Sequence, residues 1–552
     1  MRRVHPLWLV LLLVGCGSGV SVSEAISLVK HSGVQTLRHP LRETRGTTRL
    51  LLIGLDGVGS DELGMAIDGG ELSSLEAVAG RGQDRPGQFE HAYRARDVMS
   101  ILPSTTMAAW TTVYTGAPAA ESGVPGNEWF DRTTRRFLAP APVSVRGMDH
   151  AMQIHTDGFM GDQIAVQTVF ERLDLRSHVS LGPIHRGADV YTTPRALDAV
   201  QMFSILPEAL RGEHTISEEA YAELDEGSIE EVLEAIDEFG VPDLQTMYFP
   251  GVDLVAHSRE NPLQEQHEHL MNVIDPGLRR VLDRYRSEGV LSNTWIVVVS
   301  DHGHTPVQHD DQHALSVDDS ADDPPAVLRR AGFRPRPPEL VVPDDADFDS
   351  VFAYQGGLAY LYLADRSRCP DEGDTCDWSA PPRYEEDVLV AARRFWDASE
   401  HGQPFPALQG SLAMILVREP VAHDARPNAF RVFDGERTHD VAAWLEEHPR
   451  LDWRDVPRRL EQLAVGPRGH LAGDVILVAN LGHDIPEKDR TYFSGPYHSW
   501  HGSPSVRDSE ISLLVAREGW SGARIRGIVE EVLRPQRSQT RITPLIERLL
   551  SE

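Results

Sequence analysis

At 552 residues with 41% hydrophobic side chains, the chain can bury a large core and is long for one domain, so a catalytic core with an inserted module is expected. Its formal charge of −31 argues against docking on nucleic acid or on an anionic membrane surface, and is otherwise a statement about solubility. With only three cysteines, a thiolate metal site fails for want of ligands.

The chain opens with Met1, Arg2 and Arg3 before the apolar run Leu7 to Val14, the charged and short hydrophobic regions of a secretory signal. That run is too short to span a bilayer. Its ending, Leu13, Val14, Gly15 and Cys16, resembles the bacterial lipobox, in which the cysteine becomes the lipidated first residue of the mature chain. This predicts a signal peptide over 1–15, a lipid-anchored tether over 16–47, and export to the bacterial cell envelope, on the periplasmic face or the cell surface.

Leu50 to Leu55 then reads as a buried strand, with Asp56 and Gly57 at its end, where the backbone leaves abruptly. Ser100 to Asn127 contains a helix-compatible run, Thr106 to Tyr114. Ser104, Thr105 or Thr106 therefore falls at a helix N-terminus, where free N–H groups and the helix dipole attract an anion. Helices are predicted over Ile164 to Leu173, Ser228 to Phe239 and Ile274 to Glu288. Between the last two, Asp253 and His257 stand four apart, placing a carboxylate and an imidazole on one side of a helical turn. Ile296 to Val299 is a β-branched strand ending at Asp301 and His302, and the carboxyl ends of parallel strands are where open α/β sheets place their chemistry.

Beyond Pro306 the texture turns acidic and Pro-rich, with a strand at Leu358 to Leu363 and helices around Glu385 to Trp396 and Val441 to Glu447. We read 306–470 as a cap inserted between core segments 48–305 and 471–552. Cys369 and Cys376, seven apart in a polar loop, form a disulfide in an exported protein. Gly473 to Asn480 should re-enter the sheet and bring His501 back to the site. The whole reads as an α/β fold, a mostly parallel sheet with helices on both faces.

Singly, each Asp or Ser/Thr here has an ordinary reading as a cap or turn residue. In order, however, Asp56, the Pro103 to Thr106 block with Thr115-Gly116, the DxxxH at Asp253, the DHG at Asp301 and the late His501-Gly502 resemble the alkaline phosphatase superfamily, in its type I phosphodiesterase/nucleotide pyrophosphatase branch. The resemblance runs over about 49–134, 243–305 and 473–515. It implies an alkaline-phosphatase-like core and a Thr106 nucleophile, nine residues before Thr115. It also implies one metal on Asp56, Thr106, Asp301 and His302 and a second on Asp253, His257 and His501. His501 is preferred to His498 because Gly502 follows it. Asn127 would hold a phosphoryl oxygen, and His304 is a further candidate for substrate contact. Nitrogen and oxygen ligands suit two divalent ions, zinc first.

The implied activity is hydrolysis of a small-molecule phosphate ester, as a phosphodiesterase or phosphatase. A phosphomonoesterase or a phosphonate or sulfate-ester hydrolase is the alternative on the same fold, although the Cys/Ser-x-Pro-x-Arg motif of sulfatases is absent. From another class, a non-catalytic envelope binding lipoprotein would have no physical need for seven converging polar groups. Animal nucleotide pyrophosphatases carry Pro-Asn-His where Ala108, Ala109 and Trp110 stand, a departure that leaves the implied chemistry intact and bears on the choice of a nucleotide substrate.

Overall fold

The computed structural model describes residues 32–80, 89–193, 218–317, 323–369, 375–419 and 429–552. The signal segment and Cys16 lie outside the described residues.

Fourteen strands build two sheets. In chain order those of the first are β1 (Gly33–Thr36), β2 (Arg49–Leu55), β3 (Ala92–Met99), β4 (Ser177–Ser180), β5 (Val190–Thr193), β6 (Leu244–Phe249) and β7 (Thr294–Ser300). Those of the second are β8 (Ser350–Tyr354), β9 (Leu358–Leu363), β10 (Leu412–Arg418), β11 (Phe430–Phe433), β12 (Thr438–His439) and β13 (Val475–Ala479), after which β14 (Glu510–Ala516) returns to the first. The first sheet has the order β1-β5-β4-β6-β2-β7-β14-β3. Its five central strands, β5 to β7, run parallel, while β1 and β14 run against their neighbours. This is the mostly parallel α/β sheet that the alternation of apolar runs and helices predicts.

Strand β2 shows why the sheet is covered on both faces. Leu50 and Leu52 point into one hydrophobic cluster, and Leu51, Ile53 and Leu55 into the other. A strand buried on both sides must be apolar throughout, as this one is. Helices Glu218–Phe239 and Asp275–Ser287 cover the second face through Ile229, Val232, Val281 and Leu282. Helix α1 (Thr106–Thr115) covers the first through Trp110, Val113 and Tyr114.

The second sheet is antiparallel throughout, in the order β8-β9-β13-β10-β11-β12. This corrects the expectation that Gly473 to Asn480 re-enters the first sheet. Val475–Ala479 is instead a central strand of the second, and re-entry falls to Glu510–Ala516. A short apolar run buried on both faces carries no periodicity that tells one sheet from another. One face of the second sheet, with Tyr360, Ile476 and Val478, belongs to the same hydrophobic cluster as Leu50, so the two layers share a core.

Two further expectations change. Residues 33–36 of the expected tether pair with Val190–Thr193 as an edge strand. Just beyond, Arg42 donates to the carbonyls of Leu175 at 2.6 Å and Gly187 at 2.5 Å. Its guanidinium also lies 3.4 Å from the buried carboxylate of Asp189. The helix expected over Ile164 to Leu173 is confined to Val169–Arg172, where Thr168 and Glu171 form a capping box. The cap reset the helix start later than the apolar spacing suggested. Ser228 to Phe239 lies within the helix Glu218–Phe239, and Val441–Glu447 is helical as read. Cys369 and Cys376 are bonded, with Cα atoms 4.2 Å apart.

Trp110 ties helix to sheet. It is fully buried, lies edge-on to Tyr248 at 5.4 Å, and occupies the space that a side chain at Gly54 would need, since a Cβ there would fall 2.6 Å from its ring. Trp110→Ala should therefore cost about 3–5 kcal/mol of stability, read by denaturant unfolding, and Gly54→Val should be at least as damaging.

Candidate active site

The register of three parallel strands assembles the site. Leu55 pairs with Phe249 on one side and with Ser300 on the other, so β6, β2 and β7 end level with one another. The residues that follow them converge at this edge: Asp56, the helix α2 (Gly251–Ser258) carrying Asp253 and His257, and Asp301 with His302. Gly57 turns the chain out of β2 with φ at +68°, and its amide donates to Asp301 Oδ1 at 3.1 Å. A Cβ at Gly57 would meet His304 Nε2 at 2.5 Å and Asp253 Oδ1 at 2.6 Å, so the space is already taken by site atoms.

Thr106 is the first residue of α1, behind the extended Thr105. Its Oγ1 lies 3.4 Å from His302 Nε2. The same nitrogen is 3.4 Å from Asp56 Oδ1 and 3.2 Å from Asp301 Oδ2. On the other side, Asp253 Oδ2 is 3.5 Å from His257 Nε2. Asp56, Asp301 and His302 form one group able to hold a metal ion, and Asp253, His257 and His501 form another. The structure thus brings together all seven positions at which ligands are expected, each of them buried.

His501 reaches the site from a two-stranded ribbon in which Trp500 pairs with Thr305. His498 does not. It is half-buried and stacks on His309, with ring centres 4.3 Å apart, while its amide donates to His257 O. Asn127 Oδ1 accepts from the amide of Met107 at 3.0 Å, which leaves its NH2 as the donor at the helix start.

The site atoms fit a divalent cation. Asp56 Oδ1 and Asp301 Oδ2 are buried without a hydrogen-bond partner, an expensive arrangement for carboxylates unless a cation meets them. Burial, with the charge of Asp56 beside it, pushes the Asp301 carboxyl well above the usual range. Burial works to lower His302, but the charge of Asp301, followed by Asp56 and Asp253, overrides it and raises the imidazole to about 10. Burial brings His257 down to about 4, and burial, with the charge of His302 beside it, holds His501 well below the usual imidazole range. Neutral imidazole is the form that ligates. Their outer nitrogens are held by carbonyls: His257 Nδ1 by Ser499 O at 2.8 Å, His501 Nδ1 by Ser104 O at 3.0 Å, and His302 Nδ1 by Gly303 O at 3.1 Å. For the neutral His257 and His501, an Nδ1 that donates to a carbonyl leaves Nε2 facing the cluster with its lone pair, whereas the proton of His302 would leave as a cation takes its place.

His304, the expected substrate contact, stands with Asp253 and His302 in a third group able to hold a metal ion. It is fully buried, with Nε2 on Asp253 Oδ1 at 2.7 Å and Nδ1 on Ser499 Oγ at 2.9 Å, and it is absent from the walls of the adjoining cleft. Tyr248 was missed by sequence reasoning. Its hydroxyl donates to Asp56 Oδ2, but within an apolar strand it reads as one more core aromatic. Ser499 was missed too, because a serine in a two-residue strand carries no signal of its own.

Gly57→Ala should lower metal affinity by at least about tenfold in a direct titration while leaving the helix content of the protein intact.

Residues 50–367, more than half of the chain, match the type I phosphodiesterase / nucleotide pyrophosphatase family. No curated protein matches the sequence. Among solved structures, murine ectonucleotide pyrophosphatase / phosphodiesterase 5 aligns at a TM-score of 0.48 and 13% identity, covering 91% of this chain and 95% of that one. Phosphonoacetate hydrolase from Sinorhizobium meliloti aligns at a TM-score of 0.44 and 17% identity, covering 94% of this chain and 99% of that one. The chain belongs to the type I phosphodiesterase/nucleotide pyrophosphatase family and is a phosphoric ester hydrolase.

Proposed function

We propose that this hydrolase cleaves phosphate esters through a Thr106 nucleophile, in a site that takes two divalent cations, zinc by preference. One observation carries this reading: Thr106 Oγ1, Asp56 Oδ1 and Asp301 Oδ2 all lie within 3.4 Å of a single atom, His302 Nε2. A hydroxyl packed among ligand atoms at a helix start has little to do in a structural cap. Asp56, Thr106, Asp301 and His302 would hold one ion and Asp253, His257 and His501 the other, and two such ions supply Lewis acidity to the phosphoryl oxygens and stabilise developing alkoxides. Ligation by nitrogen and oxygen without thiolate supports zinc.

The chain's own groups do the rest. Thr106 Oγ attacks phosphorus and loses its proton to solvent. The bond from phosphorus to the leaving alcohol breaks, and that oxygen takes up a proton. Water then cleaves the phosphothreonine and restores the hydroxyl. The start of α1 presents its dipole to the phosphoryl group, and the Asn127 amide donates to one of its oxygens. We also propose that the protein works outside the cytosol, anchored by a lipid on Cys16. Among the described residues no helix is long and apolar enough to cross a membrane.

Purified protein should carry two metal ions per chain by elemental analysis, and Asp253→Asn should lose one of them. Thr106→Ala should keep both and the fold, yet lose turnover of a nitrophenyl phosphodiester by a factor on the order of 10³ or more. Full turnover in Thr106→Ala would end the nucleophile assignment.

A further inference from the structure

Beside the ligand cluster lies a cleft of about 170 Å³ whose floor includes Asp56, Thr106 and Asn127. Its walls have one chemical character. Pro140 to Val143 form one side, Met148, Ala151 and Ile154 a second, and Leu181, Leu224 and Leu254 a third, with Tyr497 and Trp500 beside the ligands. Among the described residues, no arginine or lysine lines it. The lone imidazole away from the ligands, His155, is tied to the Tyr191 hydroxyl at 2.6 Å and is held neutral, its pKa brought down to about 3 by burial.

From these walls we infer that the site takes phosphate esters of an uncharged, apolar alcohol about the size of one aromatic ring, in preference to nucleotides. The inference rests on the hydrolase reading, because the cleft is continuous with Thr106. Size agrees: an apolar cavity of roughly 150 Å³ accommodates benzene. Charge agrees as well. A nucleotide brings further phosphate charge or a polar sugar and base, and each such group would lose water here without a cation or a matched set of donors to replace it. An apolar ring loses nothing polar and gains contact with every wall.

The test uses the metal-loaded full-length protein with phenylphosphonate, methylphosphonate and AMP as ligands. They are measured both as inhibitors of nitrophenyl phosphodiester hydrolysis and by calorimetry. Phenylphosphonate should bind at least about tenfold more tightly than methylphosphonate, with AMP weaker than phenylphosphonate. Ala141 is a half-buried wall residue, so Ala141→Lys should bring the phenyl-to-methyl ratio close to one by placing a charge in the cleft. Ala141→Trp, which fills the same space without a charge, should do likewise. Equal binding of the two phosphonates, or tighter binding of AMP, would overturn the inference and leave the hydrolase reading standing. Absence of turnover with the calorimetric order retained would overturn the hydrolase reading and support the assignment of the cleft.

Discussion

Three carboxylates buried within reach of one another are the constraint around which this molecule is arranged. Asp56, Asp253 and Asp301 are at most 7% exposed, and two of their oxygens have no hydrogen-bond partner. Like charges this close, away from water, repel one another and destabilise the fold unless cations or donors balance them. The surrounding groups supply part of that balance. The carboxylates around His302 raise its imidazole, the Gly57 amide donates to Asp301, and the Tyr248 hydroxyl donates to Asp56. What remains unbalanced has the donor set and the neutral imidazoles of a site for divalent ions.

The second sheet belongs to this balance rather than sitting over it as a separate cap. Its first hairpin, between β8 and β9, reaches the site at two points. Gln355 Oε1 accepts from the backbone N–H of Asn127 at 2.7 Å, and its Nε2 donates to Glu128 O at 2.6 Å. Gly357 donates its amide to the carbonyl of His501 at 2.7 Å. Glu128, fully buried and pushed up to about 7 by that burial, accepts from the amides of Val143 at 2.8 Å and Tyr354 at 2.6 Å. It therefore links the cleft wall to the sheet behind it. Such a network is high in energy if half satisfied and rigid when complete, which suits a group that must hold Asn127 at the helix start.

The residues most legible in the sequence were those whose chemistry and position coincide. Asp56, Asp301 and His302 stand directly after runs so apolar that only a central strand fits them, and the strand register then brings them level. Asp253 and His257 announce themselves by helical spacing. The less legible parts failed for physical reasons. Val475 to Ala479 is apolar on both faces in either sheet, so composition cannot assign it. Gly33 to Thr36 is short and polar, and its place as an edge strand depends on the backbone groups of β5 rather than on its own side chains. His304 has the type and position of a substrate contact, and only the path of Ser499 shows that it faces the back of Asp253.

The same distinction bears on Ala108, Ala109 and Trp110, where the sequence departs from animal nucleotide pyrophosphatases. All three are completely buried, and none borders the cleft. On α1, Ala108 and Ala109 belong to the first turn and Trp110 follows it, facing Gly54 of β2 and Tyr248, while Thr106 and Met107 line the cleft. The departure is thus a change of packing beneath the site: a large indole set into the space left by Gly54, held edge-on to the tyrosine that bonds Asp56. Any influence on substrate choice must pass through the position of Asp56 and the seating of the helix start. Selectivity instead falls to the walls formed by Pro140 to Val143 and by Met148, Ala151 and Ile154, none of which lies in a recognisable motif. Chemistry and selectivity therefore sit on different parts of the chain. The first is carried by strand ends that tolerate little change, the second by apolar loop and helix residues that can vary without disturbing a single ligand.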